Sequence, residues 1–292
     1  MSWAAEGRRA TSNLAGRLGL GLLGLLVALP IAFSLLYALL YSLGLAGLLR
    51  GGFTLAHWTR VLTSGEIWAS FGLSLYVALV AVALTTALAL ALALALGEAV
   101  TRGPLAFALY LPLTLPGTVA AFLAFQVLSG GGLLARGLRT AGLLAPQDTL
   151  VPLVQDPLAV GIIAAHVGLA VPFFTLLFRE LAASERLAEL TTLATALGAS
   201  RWQCLSRVAV PILLRRAASN LVLYFIVVLG SFEIPLLLGQ SAPQMLSVLT
   251  LRKFALYDLS QKPQGYTVAL LYSAFVLLLL AGIARRRRAD AS

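Results

Sequence analysis

Long charge-free apolar runs, separated by short polar stretches, set the first expectation. The runs Leu18–Leu49, Phe71–Leu96, Gly103–Ala135, Pro157–Phe178 and Pro263–Ala284 each exceed the roughly 20 residues that cross hydrocarbon as a helix. A sixth run starts at Ala217 and reaches about Gly239, with Glu233 as its only charge. The Leu-Ala alternation over Leu84–Leu96 has the period of a strand. Both residue types are apolar and the run is far too long for a strand, so a spanning helix is predicted. Lipid offers the backbone no hydrogen bonds, and helices satisfy theirs locally. The pattern predicts an all-α integral membrane protein with six transmembrane helices.

Composition agrees. Of 292 residues, 60% are hydrophobic and 11% charged, and the mean hydropathy is +0.95, whereas soluble domains carry about 25% charged residues. The net charge of +10 reads as basic loops on one membrane face rather than as a nucleic-acid surface. With the N-terminus in the cytoplasm, 14 of the 21 Lys and Arg residues fall inside and 7 outside, which predicts both termini inside by the positive-inside rule. The run Arg285–Arg288 is then an anchor beside anionic lipid. The chain divides into a cytoplasmic segment (1–17), one transmembrane domain (18–284) and a basic tail (285–292). The first apolar stretch is too long for a cleavable signal core, and no stretch is long and polar enough to be an ATPase domain.

Few residues suggest chemistry. One cysteine, Cys204, excludes an internal disulfide framework and reads as a small hydrophobe. His57 and His166 are distant in sequence, with no acid cluster to complete a metal site, and packing is the favoured reading for His166. Gly19-Leu20-Gly21-Leu22-Leu23-Gly24 matches a dinucleotide fingerprint as a string but lies inside a span with no preceding strand; its glycines suit close helix packing. No catalytic residue, cofactor or metal is expected. Glu233 is costly mid-membrane, by about 2.5–3.5 kcal/mol on insertion scales. Counted along one helix from Ala217, it falls roughly 24 Å on, towards the outer side. It either lines a path or pairs with a partner's cation, or it sits solvated at the outer interface.

The longest inside loop, 179–216, carries the most local information. Leu190, Leu193, Ala194 and Leu197 recur at helical spacing. Gly198 suits the left-handed residue after a helix. Ser200 with Gln203 is a capping-box pattern that starts a second helix at Arg201, and Pro211 opens or bends the next segment. The product is helix, glycine turn, helix, with Leu197 and Trp202 exposed near the turn. That fits either a docking element or an ordinary polar connection.

This loop resembles the signature of permease subunits of binding-protein-dependent, type I ABC importers: Glu-Ala-Ala, three residues, Gly, nine residues, Ile, one residue, Leu-Pro. Gly198 takes the glycine, Val208 the isoleucine position, and Val210-Pro211 the Leu-Pro. The continuation Gly198-Ala199-Ser200-Arg201-Trp202 is also similar. The departure is at the start, where Thr192-Leu193-Ala194 stand for Glu-Ala-Ala, with Glu189 one turn earlier. Phe53-Thr54-Leu55 to Trp68, Leu111-Pro112 with Pro116, and Pro172-Phe173-Phe174 resemble the family's lead-in and kinked spans.

The resemblance implies a permease of the bacterial inner membrane working by alternating access. It pairs with a second permease and receives solute from an extracytoplasmic binding protein. It couples to ABC ATPase subunits, which hydrolyse the ATP, through a short coupling helix, here Ala194–Trp202. The stretch 232–239 and Leu197-Gly198-Ala199 look closer to the polyamine, iron and organophosphate group than to sugar permeases, which favours a polyamine-like or other small charged solute. A sugar-type permease is the alternative. A membrane-embedded enzyme would need interfacial acids, histidines or a metal cluster, and an ion-coupled secondary transporter inverted repeats; the sequence shows neither.

Overall fold

The computed structural model describes residues 3–47, 51–97, 103–145, 152–255 and 258–289. Arg50 and Arg102, two of the cations used for orientation, and the last three residues of the basic tail lie outside them. Every regular element among the described residues is helical, and six stretches are long and apolar enough to cross a membrane.

Contacts divide the chain into two compact units. The first comprises residues 1–64 and 250–277. In it, α1 (Trp3–Ser42) carries the first candidate span, Gly21–Ser42, and the short α2 (Ala56–Thr63) follows. The helix stops at Ser42 rather than continuing to residue 49, because the chain turns through Gly44 and Gly47 at positive φ. At Gly47 a Cβ would lie 2.5 Å from the Tyr41 ring, so the close approach there requires glycine. Tyr41 stacks on Tyr266 with centroids 4.4 Å apart, and Phe254 meets the same ring at 4.9 Å. The Trp58 indole N–H donates to Ser42 Oγ at 3.2 Å.

The second unit comprises residues 65–249 and 278–292. Its centre is α3 (Gly65–Leu96), packed on α7 (Val160–Ser184). Ser70, Ser74, Ala78, Ala81, Thr85, Ala89 and Ala93 are all buried, in a stripe of small residues down α3 that lets a neighbouring backbone approach closely. Phe174 and Phe178 of α7 and Leu213 of α10 fill the core beside its lower half. The Leu-Ala pattern is therefore one helix, with Thr85, Ala89, Leu90 and Ala93 on the packed side and Ala87, Ala91 and Ala95 exposed. The α7 N-terminus is held by Asp156, whose two carboxylate oxygens each accept from Val160 N–H at 3.0 Å.

Two expected spans are broken. The run 103–135 forms three helices, α4 (Gly103–Leu113), α5 (Gly117–Leu128) and α6 (Leu133–Thr140), and the spanning stretch is Gly117–Thr140. Pro112 and Pro116 supply no N–H, and each restricts the residue before it. The chain turns at Thr114–Pro116, with Pro116 extended as the α5 N-cap. The run 217–239 is not one helix either. After α8 (Leu187–Ala196) and α9 (Arg201–Gln203), a π-helical stretch (Cys204–Ala209) leads into α10 (Val210–Leu229). The chain then breaks at Gly230–Phe232 and restarts as α11 (Glu233–Leu238). The π turns fall just before Pro211, where a proline cannot donate to the carbonyl one turn back. The remaining helices are α12 (Leu246–Ala255), a 3-10 turn (Leu259–Gln261) and α13 (Lys262–Ala289).

Candidate functional site

The loop 179–216 forms the expected helical hairpin. Gly198 has φ +87°, its N–H donates to Thr195 O at 2.9 Å, and Ala199 N–H donates to Ala194 O at 3.0 Å. These two bonds are the Schellman closure of α8. Ser200 Oγ accepts from Gln203 N–H at 3.3 Å, and Gln203 Oε1 accepts from Ser200 N–H at 2.8 Å, the reciprocal capping box that opens α9. The two arms touch through Cys204, buried with its Sγ 3.6 Å from Thr195 Oγ1. At the base, Arg216 grips Glu185 with two contacts, 2.7 and 3.1 Å.

The hairpin exposes its apolar residues at the tip. Leu197 is 90% exposed, Trp202 72% and Leu193 62%. Glu189 and Thr192 are also exposed on α8, and Ala194 and Ala199 are partly covered. Glu189 lies 3.9 Å from Arg186 at the surface. Val208 stands half-buried in the π stretch, and Pro211 is exposed in the first turn of α10. The structure thus gathers Leu193 to Trp202 at one tip, and places Val208 and Pro211 further down the second arm.

A cavity of about 690 Å³ opens between α7, α10 and the 231–234 break. Glu233 lies on its wall, but not inside a continuous span. It is the first residue of α11, with its carboxylate exposed. The single-helix count that put it 24 Å along one span is corrected by the break at Gly230–Phe232. Gly117 opens α5 directly beside it: a Cβ there would lie 2.9 Å from Glu233 Oε2. The carboxylate therefore faces a helix N-terminus, whose partial positive charge favours it.

His166, Phe173, Asn220 and Tyr224 share that wall. The His166 ring is buried, and its Nε2 has no hydrogen-bond partner among the described residues. The Tyr224 hydroxyl donates to His166 O at 3.0 Å and lies 3.4 Å from Thr85 Oγ1. Sequence reasoning treated His166 as packing and did not single out Asn220 or Tyr224. The available signal was position: Asn220 and Tyr224 are polar-tipped residues four apart, one turn, within an apolar run. His57 belongs to α2, where burial and the nearby Arg60 charge hold its imidazole below the usual histidine range.

No curated protein sequence matches the chain. Two solved structures share its fold. One is a crystal structure of a bacterial ABC transporter involved in the import of the acidic polysaccharide alginate. It matches with a TM-score of 0.74 at 17% identity, over 99% of each chain. The other is the bacterial alginate ABC transporter in complex with an alginate pentasaccharide-bound periplasmic protein, with a TM-score of 0.71 at 18% identity, over 95% of this chain and 94% of that one. At these identities the likeness is one of fold. The family described as "Binding-protein-dependent transport system inner membrane component" matches residues 86–287. With six candidate spans and the type I importer fold around them, the chain belongs to this family, the permease subunits of ABC importers.

Proposed function

We propose that this permease couples to ABC ATPase subunits through the hairpin in 179–216, with Leu197 and Trp202 as the contact and Gly198 as the turn that presents them. Glu189, Thr192, Leu193, Ala194, Ala199 and Ser200 shape the same tip, and Val208 and Pro211 set how the second arm joins α10. The observation that carries this reading is the exposure of two large apolar residues on a rigid, doubly closed turn, which favours docking over a plain polar connection. The hairpin and both termini then face the cytoplasm, and residues 18–284 act as one permease domain in the bacterial inner membrane. A second permease subunit and an extracytoplasmic binding protein complete the assembly.

The experiment is a pull-down of C-terminally tagged protein from mild detergent, with partners identified by mass spectrometry. Recovery of a P-loop ATPase that is lost in Leu197→Asp supports the reading. Equal recovery from the variant overturns it.

The cavity containing Glu233 is proposed as this chain's wall of the solute path. A polyamine carries several cations, whereas the described wall offers one carboxylate beside aromatic faces and neutral polar groups. Neither the family match nor the alginate importers add support for a polyamine-like solute. The sugar-type alternative suits the wall better, because aromatic rings pack on apolar sugar faces while Asn220 and Glu233 offer polar groups to hydroxyls. Competition of uptake by sugars but not by spermidine-like amines is the expected result, and the reverse would overturn it.

A further inference from the structure

A second cavity, about 630 Å³, lies between the last turns of α3 and α7 and the inner side of the hairpin. Its walls are apolar, with Leu94, Leu187, Leu205 and Ala209 among them, but Arg179 of α7 and Arg201 of α9 line it as well. The Arg179 Nε is shielded from solvent and has no hydrogen-bond partner among the described residues. No carboxylate is found on the described wall. Of the acids in 179–216, Glu185 pairs with Arg216 and Glu189 with Arg186, and Glu180 does not line the wall. Thr191 and Thr195, also on the wall, spend their hydroxyl protons on carbonyls of their own helix, Leu187 O and Thr191 O. The guanidinium N–H groups are therefore the donors that a guest would meet. Arg179 is half-buried and Arg201 exposed, and the shielded, unpartnered Arg179 Nε is the group that gains most from one.

We propose that this cavity binds a phosphate-bearing anion gripped by Arg179 and Arg201. Guanidinium forks match phosphate oxygens bidentately. The apolar walls accommodate the carbon portion of an amphiphile. Two sources share this chemistry, a phospholipid headgroup and a free phosphate. The first draws on the cytoplasmic orientation proposed above, since that leaflet presents anionic lipid. A ligand here would brace α8 and α9 against the ends of α3 and α7 from the inner side, leaving the exposed Leu197 and Trp202 side chains free.

The test uses the assembled transporter. In nanodiscs containing phosphatidylglycerol, native mass spectrometry should retain one phosphatidylglycerol per copy of this chain after delipidation. Arg179→Gln, or separately Arg201→Gln, should lower that occupancy about tenfold, the scale of one charge-assisted contact. Arg136→Gln, on an exposed arginine of α6, should leave it unchanged. If no lipid is retained but inorganic phosphate binds by phosphorus NMR, and does so only with Arg179 intact, the source is free phosphate. Failure of the wild type to bind either probe, or equal binding by both variants, overturns the proposal. ATPase recovery is read in parallel, so a failed hairpin contact and a failed anion site give different results.

Discussion

The hairpin tip and the Glu233 break are both short, glycine-containing interruptions between helices, yet they were legible to very different degrees. At the tip the bonds that close α8 and open α9, through Gly198, Ala199, Ser200 and Gln203, run between residues no more than five apart. Such closures depend on residue types at fixed short offsets. The break at Gly230–Phe232 closes α10 locally, through Gly230 and Ser231 N–H, but also draws on groups far away in sequence. Ser231 O accepts from the Ser247 hydroxyl, Leu238 O accepts from Gln155 N–H at 2.7 Å, and Gly117 leaves room for the Glu233 carboxylate. Local chemistry writes itself into a sequence, and tertiary support for an irregular backbone does not.

The sharpest way to break this comparison is Gly198→Pro. Proline cannot adopt φ +87° and removes the N–H that donates to Thr195 O. A cost of about 3 kcal/mol falls on the turn alone, so transport should drop more than tenfold while the protein still inserts. Uptake is measured at matched membrane expression, and normal uptake would show that the tip geometry is dispensable. Gly198→Ala separates strain from shape. No atom lies within 4 Å of the added Cβ, so only the left-handed backbone is penalised, by about 1 kcal/mol.

Next in size is Gly117→Ala, which tests the long-range region. Its Cβ would press on Glu233 Oε2, the far end of an exposed, flexible side chain. The carboxylate therefore moves aside at little cost in stability but leaves the α5 N-terminus, and uptake should fall severalfold. Glu233→Asp, one methylene shorter, should restore room and recover part of the loss in the double variant. Independent, additive effects in thermal unfolding and uptake would show that the two residues do not share this space.

These regions also measure what sequence alone could deliver. Six spans followed from apolar length, because the thickness of hydrocarbon fixes how much chain must be apolar. The interruptions did not, since Thr114–Pro116 and Gly230–Phe232 carry no charge and sit inside long apolar runs. Leu111-Pro112 with Pro116 resembled a kinked span but did not give the direction in which the chain would turn. Glu233 was singled out as a costly charge, yet its neighbour across the gap, Gly117, lies 116 positions away in the chain. The exposed tip residues Leu197 and Trp202 were found because their exposure follows from the turn itself.

Ser200→Ala should act more weakly. Losing the capping oxygen costs about 1 kcal/mol, and because Gln203 can still accept from residue 200 N–H, half of the box survives. Fraying of α9 should appear as faster amide exchange over residues 201–203, with transport reduced about twofold. Unchanged exchange there would mean that the π stretch and α10, rather than the cap, hold this arm.

The smallest effect belongs to the Glu185–Arg216 pair at the hairpin's base. The contact is bidentate, but the two side chains are 26% and 59% exposed, so water and salt weaken it. A double-mutant cycle with Glu185→Ala and Arg216→Ala should give a coupling of about 0.2–1 kcal/mol, falling as ionic strength rises. If the tip is as self-contained as its hydrogen bonds indicate, breaking this pair leaves amide exchange at Gly198–Gln203 unaltered and ATPase recovery intact. A large coupling that persists in high salt, with exchange rising at the tip, would instead make the hairpin depend on its root. The difference between a locally closed turn and a distantly supported break would then disappear.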